Sequence, residues 1–336
     1  MRLKGTLGVL ALAAALLLSI AACGSHAGTG LATREPTGPA RPTTLKAAAT
    51  GRSLPTPLPT TAVGSVPSPT AAITETWRPG DGRIVFEADL RGDYNPSICV
   101  LDAEGIQALT TSDGTFGDYE PAWSPDGRHI AFVSNRELPY ENIYLMEADG
   151  TDIRKLTDSR GVSRPTWSPD GTRIAFNGKL AGQGYWQLDI FVIDVNGTGI
   201  VTLTNSVSDE FGPSWSPDGR KIAFASWEGI CTINADGSDR RVIVPNEHWF
   251  YNDPTWSPDG QRIAFTGQNG QIYSVNADGS GFARLTHLHV SAVLDPSWAP
   301  DGQRIAFSDN EFIYILDLES GSASRLLRGS DPDWHK

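Results

Sequence analysis

The pentapeptide WSPDG occupies residues 123–127 and recurs at 167–171, 215–219 and 256–260, with a fifth copy, WAPDG, at 298–302. Proline at the second position of a turn holds φ near the value a type I turn requires, and aspartate tolerates the conformation that follows. Glycine then takes the left-handed position, so the motif predicts a three-residue hairpin closed by a bulge. Its acid serves geometry rather than catalysis. Aligned on Trp123, Trp167, Trp215, Trp256 and Trp298, the copies stand 44, 48, 41 and 42 residues apart. Repeats of that length, filled with short strands, are the mark of propeller blades.

Each period carries the same four segments, in the second copy EPAW, HIAFVS, NIYLMEADG and IRKLT. Ala-Asp-Gly at 148–150, 235–237 and 277–279 predicts a second hairpin turn per blade, and no downstream Glu completes a calcium-loop ligand set. Alternation puts Ile130 and Phe132 on one face of a strand and Ala131 on the other, with the tryptophan as a rigid body between blades. Ile-x-Phe strands begin at Ile84, Ile130, Ile174, Ile222, Ile263 and Ile305. Pro-x-Trp strands end at Trp123, Trp167, Trp215, Trp256, Trp298 and Trp334, offset by one blade. The last therefore has no blade after it and the first Ile-x-Phe no partner before it. Closing a ring resolves both and removes the open sheet edges. The fold class is all-β, a six-bladed β-propeller closed by pairing the C-terminal strand with the N-terminal blade. In that register Cys99 and Cys231 fall on opposite blades, beyond the roughly 7 Å that a disulfide spans, and are packing residues.

Residues 1–22 read as a lipoprotein signal peptide. Arg2 and Lys4 precede the apolar run LGVLALAAALLLSIAA, and Ile20-Ala21-Ala22-Cys23 resembles a lipobox with Cys23 as the lipidated residue. Residues 23–76, rich in Pro and Thr and almost without aromatics, read as a lipid-anchored disordered tether, because such a composition buries too little apolar surface to order itself. Residues 77–336 form the propeller. A formal net charge of −12 excludes a broad nucleic-acid surface.

The pattern P-x-W-S-P-D-G-x-x-I-A-F, followed by I-Y-x-x-x-A-D-G and L-T, resembles the TolB-like propeller repeat throughout residues 77–336. That resemblance implies an envelope protein whose propeller binds other proteins. TolB proper carries an α/β domain ahead of its propeller, where this chain has the anchor and tether. Similar propellers precede the hydrolase half of prolyl-oligopeptidase-type enzymes, but the chain has no Gly-x-Ser-x-Gly elbow.

Function is expected on the face opposite the repeated turns, where connections vary. Tyr94, Tyr140, Tyr185, Trp186, Trp249, Phe250 and Tyr251 are interaction-face candidates, as aromatic loops suit protein or sugar contact surfaces. The residues before the six innermost prolines, Glu120, Arg164, Gly212, Asp253, Asp295 and Asp331, are expected to ring the channel mouth, either to receive a cation or basic peptide terminus or to accept backbone hydrogen bonds. His248, His287 and His289 lie on adjacent loops of that face; a polysaccharide lyase with a related propeller uses clustered histidines around a metal. The expected function is an extracytoplasmic, lipid-anchored, monomeric scaffold without cofactor that binds an envelope protein, in the periplasm or at the cell surface. The alternatives are a metal-dependent enzyme acting on polysaccharide and a carbohydrate-binding module.

Overall fold

The computed structural model describes residues 77, 80–112, 114–137, 139–159, 161–179, 187–246, 250–267, 269–287 and 293–336. These fold into six four-stranded antiparallel sheets. Blade one holds β1 (Arg83–Ala88), β2 (Ser97–Asp102) and β3 (Gly105–Ala108). Blade two holds β4 (Asp118–Trp123), β5 (His129–Ser134), β6 (Asn142–Glu147) and β7 (Arg154–Lys155). Blade three holds β8 (Val162–Trp167), β9 (Arg173–Gly178), β10 (Asp189–Asp194) and β11 (Val201–Thr202). Blade four holds β12 (Glu210–Trp215), β13 (Lys221–Ser226), β14 (Gly229–Asn234) and β15 (Arg241–Pro245). Blade five holds β16 (Tyr251–Trp256), β17 (Arg262–Gly267), β18 (Gln271–Asn276) and β19 (Ala283–Arg284). Blade six holds β20 (Leu294–Trp298), β21 (Arg304–Ser308), β22 (Phe312–Asp317) and β23 (Ala323–Arg328). The final strand, β24 (Ser330–His335), is the innermost strand of blade one, with Ile84 opposite Trp334 and Val85 opposite Asp333. The ring closes as the offset between the two strand patterns requires. The outer strands β7, β11 and β19 are two residues long, which leaves little unpaired edge.

The core lies between blades rather than within them. Val85, Ile98 and Val100 of blade one pack with Trp123, Ile130, Phe132 and Tyr144 of blade two, while Ala131, on the other face, packs with Trp167, Ile174 and Phe176 of blade three. The small residue lets the next sheet approach. Register adds a clamp that the hydrophobic pattern does not reveal. In four blades the arginine before Ile-x-Phe lies over the next blade's tryptophan: Arg83 over Trp123 at 4.4 Å, Arg173 over Trp215 at 4.9 Å, Arg262 over Trp298 at 5.1 Å and Arg304 over Trp334 at 4.9 Å. Each such contact contributes about 0.5–1 kcal/mol where it is partly exposed.

The Ser-Pro-Asp-Gly turn differs from the expected hairpin by one residue. Gly127 N donates to Ser124 O at 2.9 Å, so that carbonyl is occupied, and His129 N donates to the Ser124 hydroxyl instead, also at 2.9 Å. Pro125 to Arg128 therefore form a four-residue loop. The same hydroxyl donates to Asp126 at 2.7 Å, and this serine bond is the main reason Asp126, Asp170, Asp218 and Asp259 titrate below the ordinary aspartate value. In the fifth copy Ala299, fully buried, has no hydroxyl, and Arg304 pairs with Asp301 at 2.9 Å. Ala299→Ser is expected to restore the bond and raise stability by about 0.5–1.5 kcal/mol. Unchanged or lower urea midpoints would contradict this reading of the turn.

Gly150 illustrates why the second turn needs glycine. Its φ is +85°, and a Cβ there would lie 2.5 Å from the Leu109 carbonyl oxygen of the preceding blade. Cys99 and Cys231 are free and buried, facing Phe86 and Phe224 in their ladders, and burial pushes the Cys99 thiol up to about 12. Both serve as packing residues.

Candidate functional site at the propeller axis

Every innermost strand breaks its ladder at the same place. Pairing shifts between Tyr119 and Ala122 in β4, Ser163 and Thr166 in β8, Phe211 and Ser214 in β12, Asn252 and Thr255 in β16, and Leu294 and Ser297 in β20. The residue before proline holds positive φ in all six strands: Glu120 49°, Arg164 58°, Gly212 56°, Asp253 51°, Asp295 53° and Asp331 48°. Residues before proline ordinarily adopt extended backbone. Five non-glycine exceptions, each costing about 1 kcal/mol or more, persist only because the surrounding ring over-determines them. The result brings all six predicted channel-mouth residues to the axis.

They interlock there. Arg164 lies 3.2 Å from Asp253 and 3.7 Å from Glu120, and its guanidinium also pairs with Asp295. Glu120 accepts the Arg164 backbone N–H at 2.6 Å. In four blades a second layer stands behind the ring, from the residue that follows Ile-x-Phe. Thr266 donates to Asp253 at 3.1 Å, Ser308 donates to Asp295 at 3.3 Å, and Asn177 Oδ1 accepts the Gly212 N–H at 3.1 Å. In blade one that residue is Glu87, which accepts the Glu120 N–H at 3.2 Å and the Ser330 hydroxyl at 2.9 Å. The axis is thus both an acid cluster and a set of backbone acceptors. One cation serves several carboxylates, and burial raises the acids. Glu87 is pushed up to about 7 by desolvation, more than its two hydrogen bonds hold it down, with Glu120 and Asp295 adding repulsion. Desolvation likewise raises Glu120 and Asp253, and Asp331 lies well above the ordinary value. Arg164 stays charged: burial opposes this, but Asp253, Asp295 and Glu120 more than offset it.

The ring separates two axial cavities. On the loop face a cavity of about 510 Å³ is lined by Tyr119, Ser163, Leu294 and the loop residues Lys179 and Asn310. On the turn face one of about 240 Å³ is lined by the six prolines. Glu120, Arg164, Asp295 and Asp331 border both.

Of the predicted aromatic face, Tyr94, Tyr140 and Phe250 are exposed, Tyr94 to 90 %. Tyr251 is half-buried and meets Phe265 edge-on at 5.1 Å and Tyr273 at 5.7 Å, so it belongs largely to the packing of blade five. Tyr185, Trp186, Trp249, His248, His289 and Cys23 lie outside the described residues. His287 is exposed. Among the described residues no three His, Cys, Asp or Glu are arranged to hold a metal ion. Sequence reasoning overlooks Trp227, 58 % exposed in the β13–β14 turn and edge-on to Phe250 at 5.0 Å. Its signal is a tryptophan outside the Pro-x-Trp register.

The family described as the TolB beta propeller domain matches residues 184–333. In solved structures the fold superposes on TolB from Acinetobacter baumannii with a TM-score of 0.62, at 22 % identity, covering 75 % of this chain and 66 % of that one. The described residues form a TolB-like β-propeller. Sequence relatives are local. The Tol-Pal system protein TolB of Alcanivorax borkumensis is 30 % identical over 82 residues, 24 % of this chain and 19 % of its own length. The uncharacterized peptidase YuxL of Bacillus subtilis is 35 % identical over 75 residues, 22 % of this chain and 11 % of its own. The matched stretches span a fifth or less of the length of these curated relatives.

Proposed function

We propose that this TolB-like propeller is an extracytoplasmic, non-catalytic scaffold, anchored through a lipid on Cys23, that holds an envelope protein against its loop face. The carrying observation is an asymmetry between faces. Repeated turns and prolines make up one face, whereas the other opens into a cavity of about 510 Å³ and exposes Tyr94, Tyr140, Trp227 and Phe250. Exposed aromatics on rigid turns supply contact area at small entropic cost, as interface hot spots do. Likeness to a protein named for the Tol-Pal system supports an envelope setting, and the apolar segment ending at Cys23 supports the anchor.

The test is crosslinking capture from native envelopes with the full chain beside a Trp227→Ala/Phe250→Ala chain. A partner held by the first and lost, or at least tenfold depleted, in the second is the expected result. Equal capture by both would remove the loop-face assignment. In the same fractions a Cys23→Ser chain should leave the membrane pellet, and its retention there would remove the lipid anchor.

A further inference from the structure

The hairpin turn between β10 and β11 departs from its repeat by a single polar atom. In blades two, four and five the same turn is built on an aspartate. Asp149, Asp236 and Asp278 each accept, on one carboxylate oxygen, the backbone N–H and the hydroxyl of the residue two further on, at 2.9–3.0 Å and 2.6 Å. In blade three the position is Asn196, whose Oδ1 accepts the same two bonds from Thr198 at 2.9 Å and 2.7 Å. The turn needs one acceptor oxygen, which either side chain supplies. Shape therefore does not account for the amide, and among the described residues no hydrogen bond engages its Nδ2.

Asn196-Gly197-Thr198 is also the one Asn-x-Ser/Thr triplet in the sequence with a middle residue other than proline, Asn95-Pro96-Ser97 being excluded by Pro96. That triplet is the acceptor for N-linked sugar in exported proteins. Asp194 stands two residues ahead, where oligosaccharyl transferases of bacteria read an acid. Residues 196–200 are all exposed, and the adjoining β11 has two residues, of which Val201 is 53 % exposed. So short an outer strand opens at small cost, which lets the triplet enter a transferase.

We propose that Asn196 carries an N-linked glycan. The donor is an oligosaccharide on a polyprenyl diphosphate. Asn196 Nδ2 forms the bond to the anomeric carbon, the bond from that carbon to the diphosphate oxygen breaks, and the lipid diphosphate leaves with the electron pair. One amide proton passes to a base of the transferase. The inference rests on the extracytoplasmic placement of the chain, since the donor's sugar is displayed on that side of the membrane. It leaves the loop face free. Val195 N donates to Thr172 O at 3.0 Å, which ties this hairpin to the Ser-Pro-Asp-Gly turn on the opposite face from Trp227 and Phe250. There the sugar covers Ile200, Val201 and the outer edge of β11, so that the edge does not recruit another strand.

The test is peptide mass spectrometry on the full chain purified from native envelopes, beside Asn196→Asp, Thr198→Ala and Thr198→Ser chains. Most copies of the unmodified sequence should show the Asn196 peptide heavier by whole sugar units. That added mass should vanish in Asn196→Asp and Thr198→Ala and survive in Thr198→Ser, which keeps the hydroxyl. Asn196→Asp installs the side chain that blades two, four and five already use, so its thermal midpoint should stay near wild type and misfolding cannot account for the loss. A bare Asn196, an Asn196 that is merely deamidated, or sugar that persists in Thr198→Ala would each overturn the proposal. Lipid on the Cys23 peptide reports export separately in the same sample. Lipid present with Asn196 bare overturns the glycan alone, and absence of both removes the envelope reading as well.

Discussion

Trp334→Ala is expected to lower stability by about 3–5 kcal/mol, the usual cost of deleting a buried tryptophan. Trp334 is 6 % exposed, packs with Ile84, Phe86 and Leu101, meets the Trp77 ring at a tilt with centroids 5.5 Å apart, lies beneath Arg304 and donates its indole N–H to Asp81 O. It sits on the strand that closes the ring, where blade one meets both its own chain end and blade six. The lost contacts therefore weaken the seam as well as a local cluster. Trp227→Ala is the control. With 58 % of its surface already exposed it should change stability by no more than about 0.5 kcal/mol. Guanidinium midpoints of both variants provide the comparison. Similar shifts for the two would mean that the seam is not the sensitive point of the ring.

Glu87→Gln is expected to reduce a decline in stability toward neutral pH. The folded protein holds the Glu87 carboxyl at about 7 against an ordinary value of 4.5. A raised acid contributes fully below the unfolded value, and its contribution is lost as pH rises through the folded one. Stability therefore falls between about pH 4.5 and pH 7, by on the order of 3 kcal/mol for this group. Glutamine mimics the protonated acid: its carbonyl accepts the Glu120 N–H and its amide donates to Ser330. The variant should match wild type near the lower limit and exceed it above neutrality. Parallel stability profiles for the two proteins would show that Glu87 does not carry the proton. Glu120, Asp253 and Asp331, also raised, add to the wild-type decline, and the two that face Glu87, Glu120 and Asp331, titrate more easily once its charge is gone.

Much of the axis is legible in the amino-acid sequence, because the repeat supplies a register. Pro121, Pro165, Pro213, Pro254, Pro296 and Pro332 occupy one position in six blades, which places the preceding residues on one ring. Their positive φ is not legible, since proline biases its predecessor the other way and only the packed ring enforces the exception. Glu87 escapes notice for a different reason. Its position is Val133, Asn177, Ala225, Thr266 and Ser308 in the other blades, so no repeated chemistry draws attention to it. The serine of the turn looks like a passive neighbour of proline, yet its hydroxyl closes the hairpin and depresses the aspartate.

The amino-acid sequence by itself determined the strand order, the blade count, the closure by β24 and the separation of the two cysteines. These rest on turn chemistry and period-two alternation, which act over a few residues, and on counting repeats. Tertiary structure alone decided the charge state of the axis, the pairing of Arg164 with acids from three other blades and the exposure of Trp227 beside Phe250. Arg164 and its acids lie one blade or more apart along the chain, and Trp227 and Phe250 about half a blade. Their energies depend on distance and desolvation, quantities that exist only once the ring has closed.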